Sequence, residues 1–296
     1  MVFIMKITTE CVYCLLNRII YETELSTKDV ELRTEVIKKA CGMLSEIYSP
    51  DECSASIATR VHKLAYETLG DNDPYKELKD ESNNIAKSLV PLVEELVNNS
   101  DNPLKMSMIC AIIGNMMDFG IAGGSSHPGM LKEVFGKTVK EGLGYDDFSK
   151  VEVLLKKASH VVLFTDNCGE IVFDKVLCRE LKKAYPNCFL TLVVRGAPII
   201  SDATIEDARA FGFDEVVDEI LTTNCFAIGV DFNSLSDRLR AVLDKVDLII
   251  CKGMANYEAF SETDYKPIAY LLRTKCAPIA NSMGIPQDIN AIKLYE

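Results

Sequence analysis

His160-Val161-Val162-Leu163-Phe164 runs directly into Thr165-Asp166-Asn167-Cys168-Gly169-Glu170, an apolar stretch that ends in a polar turn. That reads as a buried strand followed by a loop. The pattern returns twice. Phe189-Leu190-Thr191-Leu192-Val193-Val194 leads into Arg195-Gly196-Ala197-Pro198, with Asp202 shortly after, and Val246-Asp247-Leu248-Ile249-Ile250-Cys251 leads into Lys252-Gly253-Met254-Ala255-Asn256. Between and beyond these strands, helical periodicity covers residues 171–185, a segment after Thr204, residues 234–244 and 277–283, with further strands expected near 215–221 and 266–272. Strands alternating with helices predict a parallel α/β sheet with both faces covered.

In such sheets ligands bind outside the carboxyl ends of the strands. The three strand ends therefore bring Asp166, Asn167, Asp202, Arg195 and Lys252 toward one crevice. Oxygen donors without His or Cys suit a hard divalent cation such as Mg²⁺ or Mn²⁺ rather than Zn²⁺. Arg and Lys beside such a cation suit a phosphate. Read from these residues alone, Asp166 and Asn167 serve equally well as caps of the following helix.

The first hundred residues contain helical patterns only. Residues 10–23 carry Val12, Leu15, Leu16, Ile19 and Ile20 at helical spacing, and Ser26 with Asp29 suggests a capping box for a helix to about Tyr48. Helices follow over 54–69 and 75–97, the latter interrupted by Pro91, which predicts a kink. The turn-forming loop Asn98-Asn99-Ser100-Asp101-Asn102-Pro103 marks a boundary between a helical domain (1–100) and an α/β catalytic domain (101–296). An apolar helix over 104–119 carries Asn115 and Asp118 on one face, as pocket wall or as buried backbone partners. A glycine-containing loop then reaches His127.

With 296 residues, 48% of them hydrophobic, the chain has material for a sizeable core. A net charge of -12 argues against nucleic-acid and anionic-membrane partners, both of which need clustered Lys and Arg. No window approaches the roughly 20 apolar residues of a membrane span, and the first five residues lack the length and cleavage pattern of a signal peptide. Met5 offers a second start. A cytoplasmic protein is expected. Its eleven cysteines, odd in number and scattered through apolar runs, fit reduced thiols. Cys11 and Cys14 form a C-x-x-C pair, read either as core packing or as half of a second metal or redox site that Cys53 and Cys276 would complete. His62, His127 and His160 are too scattered for a His-based metal centre.

Four segments together resemble the metal-dependent damage-control phosphatases, once catalogued only as a domain of unknown function. They are the turn from Thr165 to Glu170, Arg195-Gly-Ala-Pro-Ile-Ile-Ser-Asp-Ala-Thr204, Lys252-Gly-Met-Ala-Asn-Tyr-Glu258 and Gly114-Asn-Met-Met-Asp-Phe-Gly120. Cys11-Val-Tyr-Cys14 resembles the mark of the mainly prokaryotic branch. The resemblance implies an amino-terminal helical region on a Rossmann-like, three-layer α/β/α domain with a mostly parallel sheet. It also implies one divalent metal (Mn²⁺, Mg²⁺, Co²⁺ or Ni²⁺) at Asp166, Asn167 and Asp202, and hydrolysis of phosphate esters of small metabolites, sugar phosphates and cofactor phosphates among them. One departure stands out: Ser201 precedes Asp202 where relatives often have Asn.

The expected reaction is in-line attack of water on a phosphomonoester, with Lys252, Arg195 and Lys275 neutralising the phosphoryl oxygens. Asp166 is ligand, general base or nucleophile. Asn115, Asp118, Glu170, Gly253 and Asn256 are expected around the substrate phosphate. A haloacid-dehalogenase-type site is disfavoured because Cys168 stands where its second Asp belongs. A non-catalytic phosphometabolite sensor would use the same phosphate-binding residues. An S-adenosylmethionine-dependent carboxyl methyltransferase should carry an acid where Arg195 stands. Oligomeric state is open, a homo-oligomer included.

Overall fold

The structure is a computed structural model that describes residues 5–116 and 128–296. Six helices come first: α1 (Thr9–Ser26), α2 (Val30–Ile47), α3 (Ser54–Leu69), α4 (Lys76–Asn98), α5 (Pro103–Met116) and α6 (Pro128–Glu141). Strands and helices then alternate: β1 (Tyr145–Asp146), α7 (Phe148–Leu155), β2 (His160–Phe164), α8 (Ile171–Ala184), β3 (Phe189–Val194), α9 (Ile205–Ala210), β4 (Glu219–Thr222), α10 (Asp237–Leu243), β5 (Leu248–Lys252), α11 (Gly253–Phe260), β6 (Ile268–Arg273), α12 (Ala277–Met283) and β7 (Asn290–Tyr295). The expected Asp118 and the loop to His127 lie outside the described residues.

The seven strands form one sheet in the order β1-β7-β6-β5-β2-β3-β4. Strands β2 to β6 are mutually parallel, β7 runs antiparallel to β6, and β1 pairs parallel with β7. Chain order reverses between β2 and β5, so the sheet has its topological switch point there.

Alternate residues of each strand point to opposite faces, and two apolar layers result. Val161, Leu163, Leu190, Leu192 and Ile250 pack with Ile112 of α5 and Ile171, Phe173 and Leu177 of α8. Val162, Phe164, Val193, Ile249 and Cys251 pack on the other side with Leu239 of α10, Tyr257 and Phe260 of α11 and Ile279 of α12. This is the expected Rossmann-like three-layer arrangement. The amino-terminal helices α1 to α3 close their own cluster around Leu15, Ile19, Val36, Ala40, Ile57 and Val61. Helix α4 instead lays Ala86, Leu89, Val93 and Val97 against the layer of α5 and α8.

One cap differs from expectation. Ser26 closes α1, and Asp29 itself caps α2 by accepting from the backbone N–H groups of Glu31 and Leu32 at 2.9 and 3.3 Å. An Asp side chain reaches these two amides directly, so no second partner is needed. Among the described residues no helix is long and apolar enough to cross a membrane.

Candidate active site

The loops after β2 and β3 are joined by backbone hydrogen bonds. Cys168 N–H donates to Ser201 O at 2.7 Å, Ala203 N–H donates to Asp166 O at 2.8 Å, and Asn167 and Asp202 form an isolated bridge. This draws Asp166, Asn167 and Asp202 together at the switch point. Asp166 Oδ2 accepts from the amides of Asn115 and Asn167, each at 2.8 Å, and Oδ1 lies 3.4 Å from the Arg195 guanidinium. Arg195 Nε donates to Asp202 Oδ2. The Asn115 amide also donates to Glu170 Oε2, and Ser201 Oγ donates to Asn167 Oδ1 at 2.6 Å. Thus the hydroxyl of Ser201 orients the very amide that the expected ligand set needs.

Gly253, which opens α11, has φ of +71° in the left-handed region that favours glycine. A Cβ there would lie 1.8 Å from Asp166 Oδ2. The end of β5 therefore approaches the carboxylate as only a residue without a side chain can.

The expected cations take different stations. Arg195 and Lys252 have no exposed side-chain surface, and neither lines the cavity beside the carboxylates. Arg195 spans Asp166 and Asp202 and donates to Asn256 Oδ1 at 2.9 Å. Lys252 Nζ is fully engaged by Ala111 O at 3.0 Å, Glu170 Oε1 at 3.0 Å and Asp174 Oδ1 at 2.7 Å. Both stand behind the carboxylates rather than in front of a phosphate, because a buried cation takes the nearest buried anions as partners. Asn256 is a brace as well, its amide donating to Thr165 O at 2.9 Å and Lys252 O at 2.7 Å. Lys275 does line the cavity, with Nζ on Asn115 O at 2.5 Å.

Four buried carboxylates, Asp166, Glu170, Asp174 and Asp202, meet two buried cations, Arg195 and Lys252. Fully ionised, the cluster carries two negative charges in excess. Burial, then the charges of Asp202 and Glu170, push the Asp166 carboxyl up to about 8 against the pull of Arg195. Burial also raises Asp202, and with Glu170 it pushes Asp174 up to about 7. A site in which Asp166, Asp174 and Asp202 resist ionisation favours an added positive charge. Among the described residues no group of three or more His, Cys, Asp or Glu side chains is disposed to hold a metal ion. The donor set of Asp166, Asn167 and Asp202 has only two such groups, with the Asn167 amide oxygen as third, and its hard oxygen chemistry fits a divalent cation of the Mg²⁺ or Mn²⁺ kind.

The cavity has a volume of about 240 Å³. Asp166, Asn167, Glu170, Ser201 and Asp202 form its floor, while Arg18 of α1, Tyr75, Ser82 of α4 and Glu258 of α11 stand in its wall. Glu258 is pushed up to about 7 by burial, against a hydrogen bond from Ser54. Arg18, Glu258 and Asp174 were not anticipated from sequence. For Asp174 a signal existed: an acid four residues after Glu170, amid Ile171, Val172, Phe173, Val176 and Leu177, has to find a buried partner.

Cys11 and Cys14 form no disulfide. Cys14 is exposed, Cys11 is half-buried with its Sγ 3.4 Å from Thr8 Oγ1, and Cys53 Sγ lies 4.0 Å from Glu258 O.

The family model for the damage-control phosphatase ARMT1-like domain matches residues 7–290. A damage-control phosphatase of Archaeoglobus fulgidus is 43% identical over 292 residues, covering 99% of this chain and 100% of that one. The damage-control phosphatase PH1575 of Pyrococcus horikoshii is 29% identical over 283 residues, with 96% of each chain covered. The crystal structure of that Pyrococcus protein, described as a member of the DUF89 family, superposes with a TM-score of 0.91 over 99% of this chain and 100% of its own, at 27% identity.

Proposed function

The chain belongs to the damage-control phosphatase ARMT1-like domain family, and from that premise we propose that it is a metal-dependent phosphomonoester hydrolase acting on small phosphorylated metabolites. The observation that carries this reading is the convergence of Asp166, Asn167 and Asp202 on a cavity, among four buried carboxylates that face two buried cations. One divalent cation, Mn²⁺, Mg²⁺, Co²⁺ or Ni²⁺, would be held by Asp166, Asn167 and Asp202. Bound there, it supplies polarisation of a phosphoryl oxygen and a lowered pKa for water.

The chain's own residues do the rest. Asn115 and Asn167 each spend an N–H on Asp166, fixing its rotamer, and Arg195 ties Asp166 to Asp202 so that neither swings away alone. Lys252 does the same for Glu170 through Asp174. Lys275, which lines the cavity as Arg18 does, is a cation placed to meet the phosphoryl oxygens as charge builds on them. Asp166 also has the position of a base or nucleophile, since it lines the cavity while remaining only 6% exposed.

The test is phosphate release from sugar, nucleotide and cofactor phosphates, with each cation restored after chelation, for the wild type and Asp166→Ala. Cation-dependent release that disappears in Asp166→Ala is expected. Ligand binding without release under every cation would overturn the hydrolase reading in favour of a phosphometabolite sensor.

A further inference from the structure

Each of the two site loops contains a residue in the left-handed region, and each of these residues has its N–H held by a side chain from the amino-terminal helices. Ile200 has φ of +45°, a conformation that β-branched residues avoid. Its N–H donates to the hydroxyl of Tyr66 at 3.0 Å, and Tyr66 is a buried residue of α3 whose ring rests on Phe226 at 5.3 Å. Ser201 and Asp202 follow immediately, with Asp202 N–H turned back onto Ile199 O at 3.0 Å. In the other loop, Gly169 has φ of +80° and donates its N–H at 2.7 Å to the amide oxygen of Asn83, a buried residue of α4. The amide nitrogen of Asn83 donates at 2.9 Å to Asp207, and Asp207 closes the capping box of α9 with Thr204, two residues after Asp202. Neither Tyr66 nor Asn83 lines the cavity.

We propose that Tyr66 and Asn83 are positioning residues: from the helical segment they set the separation between Asp202 and the Asp166–Asn167 pair, and so tune the affinity of the site for its cation without touching cation or substrate. A left-handed isoleucine relaxes toward its preferred backbone region unless something holds it. At Ile200 the relaxation would carry Asp202 with it, and the Tyr66 hydroxyl opposes that. Asn83 acts on both loops at once, through Gly169 on one and Asp207 on the other. The cation part of this proposal rests on the phosphatase reading above.

The test uses Tyr66→Phe, which keeps the ring and removes the hydroxyl, Asn83→Ala, and the double variant Tyr66→Phe with Ile200→Gly. Mn²⁺ binding is measured by titration calorimetry, and amide hydrogen exchange is followed over residues 166–171 and 198–204. Loss of one buried hydrogen bond in Tyr66→Phe predicts Mn²⁺ binding weaker by about tenfold, and Asn83→Ala, which loses two, weakens it at least as much, with faster exchange over 198–204 in Tyr66→Phe and over both loops in Asn83→Ala. Glycine adopts a positive φ unaided, so Ile200→Gly restores affinity in the Tyr66→Phe background, a rescue that lost packing on α3 would not show. Unchanged Mn²⁺ affinity in both single variants, or a loss that Ile200→Gly fails to restore, overturns the proposal. Should the wild type bind none of Mn²⁺, Mg²⁺, Co²⁺ and Ni²⁺, the phosphatase reading falls, and exchange decides the positioning role: unchanged exchange in both loops refutes it, faster exchange confined to them upholds it.

Discussion

Gly253→Ala places a methyl group where the carboxylate of Asp166 already is. The added Cβ would sit 1.8 Å from Oδ2, 2.4 Å from Cγ and 3.0 Å from Cβ of Asp166, against a normal separation of about 3.5 Å or more. Either Asp166 rotates away from Asn115, Asn167 and Arg195, or the start of α11 lifts off the sheet. Overpacking of this kind costs about 1–3 kcal/mol. The positive φ adds about 1–2 kcal/mol for a residue with a side chain, and a lost hydrogen bond to a buried charge adds about 1.5–3 kcal/mol. A total of about 4–8 kcal/mol lowers the melting temperature by roughly 10 °C in a chain of this size. Because the residue displaced is Asp166, phosphate release should fall by a factor of about 100 or more. Differential scanning fluorimetry and a phosphate-release assay read the two effects. Gly42→Ala is the control: Gly42 lies in the exposed interior of α2 with nothing within 4 Å of a built Cβ, and it should gain about 0.5–1 kcal/mol. A Gly253→Ala protein that melts and turns over like the wild type would refute the reading of this site.

The two lysines at the site should separate cleanly. Lys252→Ala leaves Glu170 and Asp174 buried without their cation and should cost about 3–5 kcal/mol in urea denaturation, whereas Lys275→Ala should stay within about 1 kcal/mol of wild type and appear as a raised KM. Stability of the cation-free protein should fall as pH rises. Asp166, Asp174 and Glu258 all bind protons more tightly folded than unfolded, so the stability they contribute is full below about pH 4 and is lost as pH climbs through about 7 to 8. Thermal melts from pH 5 to 8 check this: Glu258→Gln should flatten the decline, and Mn²⁺ should raise the melting temperature more at pH 8 than at pH 5.

Much of this was legible in the stretch from His160 to Glu170. A strand buried on both faces has to be apolar throughout, and the first polar residues after it are the ones that reach the crevice, so one short segment carried both sheet and site. The same logic located Asp202. It misdirected Lys252 and Arg195, because a strand-end cation says nothing of which way its long side chain turns, and here each turns inward to carboxylates of other segments. Tyr66, Asn83 and Arg18 left no trace in the sequence, and Glu258 stood only at the end of the Lys252–Glu258 segment, with no role assigned. They lie on helices whose periodicity shows a buried face, while what that face meets is decided by tertiary contacts with loops far along the chain, as Asn83 meets Gly169 and Tyr66 meets Ile200. Strand β7 escaped notice because it pairs antiparallel at the flank of the sheet, with Asn290, Ala291 and Ile292 buried and the following three residues half-exposed, which breaks the uniformly apolar look of its neighbours.

The two margins of the sheet are its shortest strands, the two residues of β1 and the four of β4. Asp146 in β1 is engaged by Lys105, and Glu219 in β4 by Arg238. A second polypeptide seeking to add a strand at either side would find few free rungs and a charged pair beside them. Growth of the sheet from molecule to molecule, the usual route by which exposed β-structure becomes fibrous, is thereby disfavoured at both ends.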